Sequence, residues 1–201
     1  MSAFAYPWEA LRGLHAFIRE AGECLDEKEF VLLDRGIWAH RSARIDKTAR
    51  LSAPCILGRE TEVRHGAFIR GGVLVGDYCV VGNATELKNC ILFDGAKAPH
   101  FNYVGDSILG FNAHLGAGSI TSNVKSDKSL VVVKTKKERI ATGLKKVGAF
   151  VGDFAEIGCN SVLNPGTIVG KNALIYPLSS VRGEVEANTL YKGENRVEKR
   201  R

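Results

Sequence analysis

The sequence predicts an all-β protein, a parallel β-helix with an N-terminal helix, on three observations. Counted in sixes from Ile45, the positions Leu51, Leu57, Val63, Ile69, Val75, Val81, Leu87 and Phe93 are large and apolar without a miss. Four residues after each comes, mostly, a small or branched side chain: Ala49, Cys55, Thr61, Ala67, Val73, Cys79 and Thr85. A period of six matches neither the 3.6 of a helix nor the 2 of an ordinary strand. It matches short strands that turn a corner each time, three to a coil. The large residue then points inward and the small one lets the corner close. Glycines such as Gly58, Gly76 and Gly82 suit strained corner dihedrals. Stacked coils lie about 4.8 Å apart, so the backbone bonds run along the axis. A sandwich or barrel of short strands would show no strict period of six.

The elements follow in order. Residues 1–44 form a helix and a cap segment. YPWEALRGLHAFIREAGE has Pro7 in its first turn and Leu11, Leu14, His15 and Ile18 at helical spacing. EFVLLD reads as a strand. The β-helix occupies 45–187. Its frame slips between Phe93 and Leu109, sixteen apart instead of eighteen, and resumes at Leu109 and Leu115. A loop excursion fills about 122–147. The sixes then return at Val151, Ile157, Leu163, Val169, Ile175 and Val181. Residues 188–201 are a tail. The ends of a β-helix are open edges, and the N-terminal helix and the tail are the expected covers.

With 201 residues the chain can bury one sizeable core. Its net charge is +6, and the surplus lies in 125–146 and in the terminal RVEKRR. A solvated surface is the plain reading. The functional readings are an anionic small ligand or nucleic acid. Base-stacking interleaving of aromatic and basic residues is absent, so a phosphorylated small molecule is expected and nucleic acid is not. No run approaches the roughly 18 apolar residues of a membrane span, and no signal peptide is legible. Five cysteines without paired spacing suggest reduced, mostly buried thiols, and so a cytoplasmic protein.

KAPHFNY reads as a departure from the wall, with Pro99 unable to donate to the ladder. His100 would then project outward from a bulge, either as a structural surface histidine or as a base. Arg70 and Lys88 are eighteen apart, one full coil, and stack on one face. They read as a phosphate clamp or as a solvated pair of cations.

The hexads resemble the left-handed β-helix of the hexapeptide-repeat acyltransferases, and the left hand is implied by that resemblance alone. GNATELKNCILFDGAKAPHFNYVGDSILG and LGAGSITSN resemble the acetyltransferase half of the two-domain glucosamine-1-phosphate acetyltransferase/uridylyltransferases. DKSLVVVKTKKERIATGLKKVGAFVGD resembles the loop of the archaeal-type sugar-1-phosphate nucleotidyltransferase/acetyltransferases, and YPWEALRGL the linker helix of that family. The resemblance spans about residues 6–187. The Gly-rich, basic phosphate loop of the family's nucleotidyltransferase half has no counterpart in these residues.

The resemblance implies an acetyl-CoA-dependent N-acetyltransferase acting on a hexosamine 1-phosphate, working as a homotrimer without a required metal. His100 would be the general base, with Asn123 binding the sugar or aligning the reaction. Arg70 and Lys88 would hold the phosphate, Tyr103 would contact the sugar, and Lys128 is the best choice among the excursion's cations. Such a loop in the family reaches toward the neighbouring subunit, with CoA between adjacent helices. Asp153 and the backbone from Ala173 to Tyr176 fall in the CoA-binding coils. Val124 and His114 depart from the family's aromatic residue and asparagine, and the bacterial CoA-contacting tail has no counterpart. Zinc carbonic anhydrases of the gamma class share the β-helix, but His65, His100 and His114 lack their ligand spacing. A non-catalytic β-helix module that binds a sugar nucleotide or a partner nucleotidyltransferase is the alternative. It would have no need of all these side chains together.

Overall fold

The computed structural model describes residues 4–193 and 197–199. Each six-residue unit is a short strand followed by a corner, and three units close one left-handed coil. Parallel pairing of successive coils makes three walls. Wall A runs from Ile37–His40 to Glu184–Val185, wall B from Arg44–Ile45 to Thr189–Tyr191, and wall C from Arg50–Leu51 to Ser180–Val181. The large residue of each unit points into the prism. Leu57, Val63, Ile69, Val75, Val81 and Leu87 form one continuous core column, and the small corner residues Cys55, Thr61, Ala67, Val73, Cys79 and Thr85 are buried with them. Many corners turn through the left-handed region, which costs a side chain more than a glycine. Tyr78, Phe101, Asp106 and Phe154 nevertheless sit there, at φ between 49° and 58°.

One of the two lost residues falls within the expected interval from Phe93 to Leu109, and the other falls before it. Phe93 is 53% exposed, and Leu92 takes the inward place. Inward residues then run Ala98, Val104, Leu109, Leu115 and Thr121, all fully buried. The missing two residues are thus two separate one-residue deletions, at the corners between Leu87 and Leu92 and between Val104 and Leu109. The wall does not break at His100. Lys97–His100 is a strand of wall B, with Lys97 paired to Val80, Ala98 to Val81 and His100 to Asn83. Pro99 is buried within it, where Gly82 below leaves room for its backbone.

The N-terminal helix is two helices, α1 (Pro7–Arg12) and α2 (Leu14–Glu23), parted at Gly13. They do not cover an end. Trp8, Leu11, Leu14 and Ile18 pack on the outer face of wall A, against Ile56, Leu74, Ile91, Ile108, Phe150 and Ile168. The excursion joins them there. Its hairpin, Val132–Lys134 with Arg139–Ala141, buries Val133, and Val131 and Val147 are buried beside it. Lys136 closes the hairpin's tip onto Glu184 and Glu186 of the same chain. The loop thus folds back over its own wall. The ends are covered by antiparallel strands: Phe30–Asp34 on Ile37–His40, and Val197–Lys199 on Thr189–Tyr191. The first wall strand starts at Ile37, ahead of the expected boundary at 45. Cys55, Cys79 and Cys90 are buried free thiols, while Cys24 and Cys159 are free and exposed. Burial pushes the Cys55 and Cys79 thiols up to about 12.

Candidate active site

The deleted residues create the site. In the coil below, the corner from wall C to wall A turns through two glycines, Gly71 and Gly72, both at positive φ. In the next two coils it turns through a single left-handed residue, Asn89 and then Asp106, at φ 47° and 49°. In the coil above, the excursion leaves at the same corner, beginning with Asn123. Asn89, Asp106 and Asn123 therefore stack, seventeen apart. Asp106 is only 5% exposed and is held between its neighbours. Asn89 Nδ2 donates to it at 2.8 Å, Asn123 Nδ2 donates from the other side, and Lys88 Nζ lies 3.0 Å from both carboxylate oxygens.

Wall C carries the rest. Ile69 and Leu87 pair in register, so Arg70 and Lys88 stack on the outer face as expected. Each has a carboxylate: Arg70 reaches Glu86 at 2.8 Å, and Lys88 reaches Asp106. The Glu86 hydrogen bond and charge raise the pKa of Arg70. Tyr103 lies on the same face, and its hydroxyl accepts from Asn123 Nδ2 at 3.2 Å. Burial, then the nearby Asp106 charge, raises the pKa of Tyr103. The ring lies over Gly105, where a Cβ would overlap it.

His100 ends a strand of wall B, just before the corner to wall C. Asn102, buried and polar, anchors it: its Oδ1 accepts the His100 N–H at 3.1 Å, and its Nδ2 donates to the Gly116 and Ser119 carbonyls. The His100 carbonyl accepts from Gly118 at 3.0 Å. The imidazole is exposed, and among the described residues it has no side-chain partner. The two corner residues Phe101 and Asn102 separate it from Tyr103 along the chain.

The fold brings Lys88, Tyr103 and Asn123 into one cluster, with Arg70 beside it. It does not bring the others there. Lys128 is exposed in a turn of the excursion, its N–H bonded to the Lys125 carbonyl at 2.9 Å. Asp153 lies at the corner from wall A to wall B and accepts the Phe111 N–H at 2.9 Å. Asp77 and Asp94 do the same for Arg59 and Asp77, so this carboxylate has a repeating structural task. Ala173 is wholly buried, with its N–H and carbonyl both spent in coil bonds, and it offers a ligand no side-chain surface. Tyr176 is exposed on wall B, in a cleft of about 330 Å³ shared with His114, Glu156 and Cys159. The acceptor and donor candidates therefore occupy different walls of one chain.

Asp106, Asn89, Glu86 and Asn102 bond to the candidate residues or to one another and were not singled out from the sequence. For Asn89 and Asp106 the two five-residue steps were the available signal, since they mark where the corner tightens. His65 bonds Thr48 at 2.7 Å and His114 pairs with Glu156 at 2.8 Å, so the three histidines do not converge. Among the described residues no group of three or more His, Cys, Asp or Glu side chains is placed to hold a metal, and no helix is long and apolar enough to cross a membrane.

A family model of the GMPPB C-terminal domain matches residues 51–136. A bifunctional sugar-1-phosphate nucleotidylyltransferase/acetyltransferase of Sulfurisphaera tokodaii is 28% identical over 80% of this chain and 44% of its own length. The bifunctional protein GlmU of Methanococcus maripaludis is 34% identical over 65% of this chain and 32% of its own. The chain thus spans less than half the length of these two relatives. An uncharacterised acetyltransferase of Escherichia coli, YaiX, is 31% identical over 72% of this chain and 70% of its own length. Among solved structures, a hexapeptide transferase family protein from Anaplasma phagocytophilum superposes with a TM-score of 0.53 over 83% of this chain and 80% of that one, at 16% identity.

Proposed function

The chain belongs to the hexapeptide-repeat acetyltransferases, and from that membership we propose that it transfers an acetyl group from acetyl-CoA to the amine of a hexosamine 1-phosphate. The observation that carries the acceptor is the cluster on wall C. Cations, a phenol and a carboxamide are gathered on one exposed face, which is what a phosphorylated amino sugar asks of a site. Lys88 spends two N–H groups on Asp106 and keeps a third, and Arg70 keeps most of its donors beyond Glu86. Those free donors would take the phosphate. Tyr103 and Asn123 would fix the ring.

Amine attack needs a deprotonated nitrogen, and His100, at the corner that leads from wall B into wall C, would be the base that takes the proton. Its backbone is locked by Asn102 while its ring is free, the arrangement expected of a group that must accept a proton from a ligand. The proton leaves the amine as nitrogen bonds to the acetyl carbon, and the thiolate of CoA departs as the tetrahedral centre collapses. Wall A is covered by α1, α2 and the excursion, whereas walls B and C carry no such layer among the described residues. A homotrimer in which wall B of one subunit faces wall C of the next would complete the site. Tyr176 and the cleft beside it would then bring the CoA.

The test is release of free CoA with glucosamine 1-phosphate and then galactosamine 1-phosphate, for the wild type and His100→Ala. Loss of the base should lower turnover about 10²- to 10⁴-fold. No turnover with either sugar by a folded trimer would overturn the reading in favour of a binding module.

A further inference from the structure

We propose that Asp106 is the positioning residue of the acceptor site, holding Asn123 with its carbonyl oxygen turned outward and Lys88 with one N–H to spare. The proposal rests on the transferase reading above. Its argument is one of donors and acceptors. An ionised carboxylate only accepts, so the end of Asn123 that faces Asp106 must be the NH₂. The same NH₂ donates to the Tyr103 oxygen. The carbonyl Oδ1 of Asn123 is therefore directed away from the corner. Tyr103, having accepted, keeps its own O–H as a donor. Lys88, held by both oxygens of Asp106, keeps one ammonium hydrogen.

One buried charge thus sets the polarity of three ligand-facing groups: an ammonium donor, a phenolic donor and a carboxamide acceptor. That polarity suits the substrate. An amino sugar about to attack must give up an N–H while keeping its lone pair free. A carbonyl oxygen takes the N–H, whereas an NH₂ in its place would compete for the lone pair. Without the charge of Asp106 the carboxamide could turn either way. Asp106 itself is 5% exposed and touches groups from the coil below and the coil above, so it acts through them and not on the substrate. Its corner is secured independently, with its N–H on the Lys88 carbonyl at 3.0 Å and its carbonyl accepting from Gly148 at 2.8 Å.

Asp106→Asn is the informative variant, because asparagine tolerates the left-handed corner and matches the volume. With glucosamine 1-phosphate, kcat should fall about 10- to 100-fold as Asn123 is misplaced near the reacting atoms, and KM should rise at least about threefold as Lys88 loses its anchor beside the phosphate. The part that acts through Lys88 is read in KM, whereas the turnover loss acts through Asn123, so the kcat of the double variant Asp106→Asn/Asn123→Ala should be no lower than that of Asn123→Ala alone. Multiplying losses would overturn the proposal. A second readout needs neither turnover nor the variant. In the wild type, the side-chain amide signals of Asn123, assigned by their loss in Asn123→Ala, should exchange at least about tenfold more slowly than those of an exposed carboxamide. Exchange at the exposed rate overturns the proposal even if the enzyme is active. A wild type with protected Asn123 signals but no CoA release overturns the transferase reading instead.

Discussion

Tyr103 depends on what its neighbour lacks. Two positions along the same strand, Gly105 has no side chain, and the phenol ring occupies the space. The φ of Gly105 is not positive, so the glycine is there for room and not for backbone freedom. Gly105→Ala should push the ring aside and break its contact with Asn123. One lost hydrogen bond is worth about 1 kcal/mol, or about a fivefold rise in acceptor KM. The melting temperature should stay within about 2 °C, since the new methyl meets only the far end of a half-buried side chain. Steady-state kinetics beside a thermal melt would check this. A large melting shift with unchanged KM would mean that the glycine serves the coil and not the ring.

At the scale of elements, the corner between walls C and A is where this β-helix departs from its own rule. The excursion leaves there, and the ladder must be mended. Buried hydroxyls do it: Thr121 Oγ1 accepts from the Gly105 N–H at 3.0 Å, Ser107 Oγ bonds Thr121 Oγ1 at 2.9 Å, and Ala149 N–H donates to Ser107 at 3.0 Å. Thr121→Val keeps the shape and strands the Gly105 N–H, so urea unfolding should show a loss of about 1–3 kcal/mol. The inward residues from Leu57 to Leu87 were legible because a strict period needs only one correct phase. The phase error at Phe93 arose because an apolar residue followed Leu92, and periodicity cannot tell adjacent apolar positions apart. That error misplaced the irregularity to His100, while the true ones lay at Asn89 and Asp106. The resemblance singled out Lys88, Tyr103 and Asn123, which the fold gathers around Asp106. Asp106 itself was not legible, since a lone aspartate after glycine reads as a turn until stacking shows what lies above and below it.

For the whole molecule, α1 and α2 are fastened to the prism by more than apolar area. The His15 ring lies against Gly72, where a Cβ would overlap it. Burial, then Arg19 and Lys88, lowers the His15 pKa from its ordinary 6.5. The unfolded chain therefore takes up this proton before the folded one does. Stability from this group is full above about pH 6.5 and is lost as pH falls below it. The melting temperature should drop between pH 7.5 and 5.5, and less so in His15→Gln; equal slopes would remove His15 as the cause. The layer on wall A has a wider effect. A solenoid in which each coil touches only its neighbours can fray from either end, rung by rung. Here one strap lies across Ile56, Leu74, Ile91, Ile108, Phe150 and Ile168, which belong to successive coils. To peel off an outer coil is to loosen the strap from all the others. The array is in this way converted from a zipper into a bundle that opens all at once.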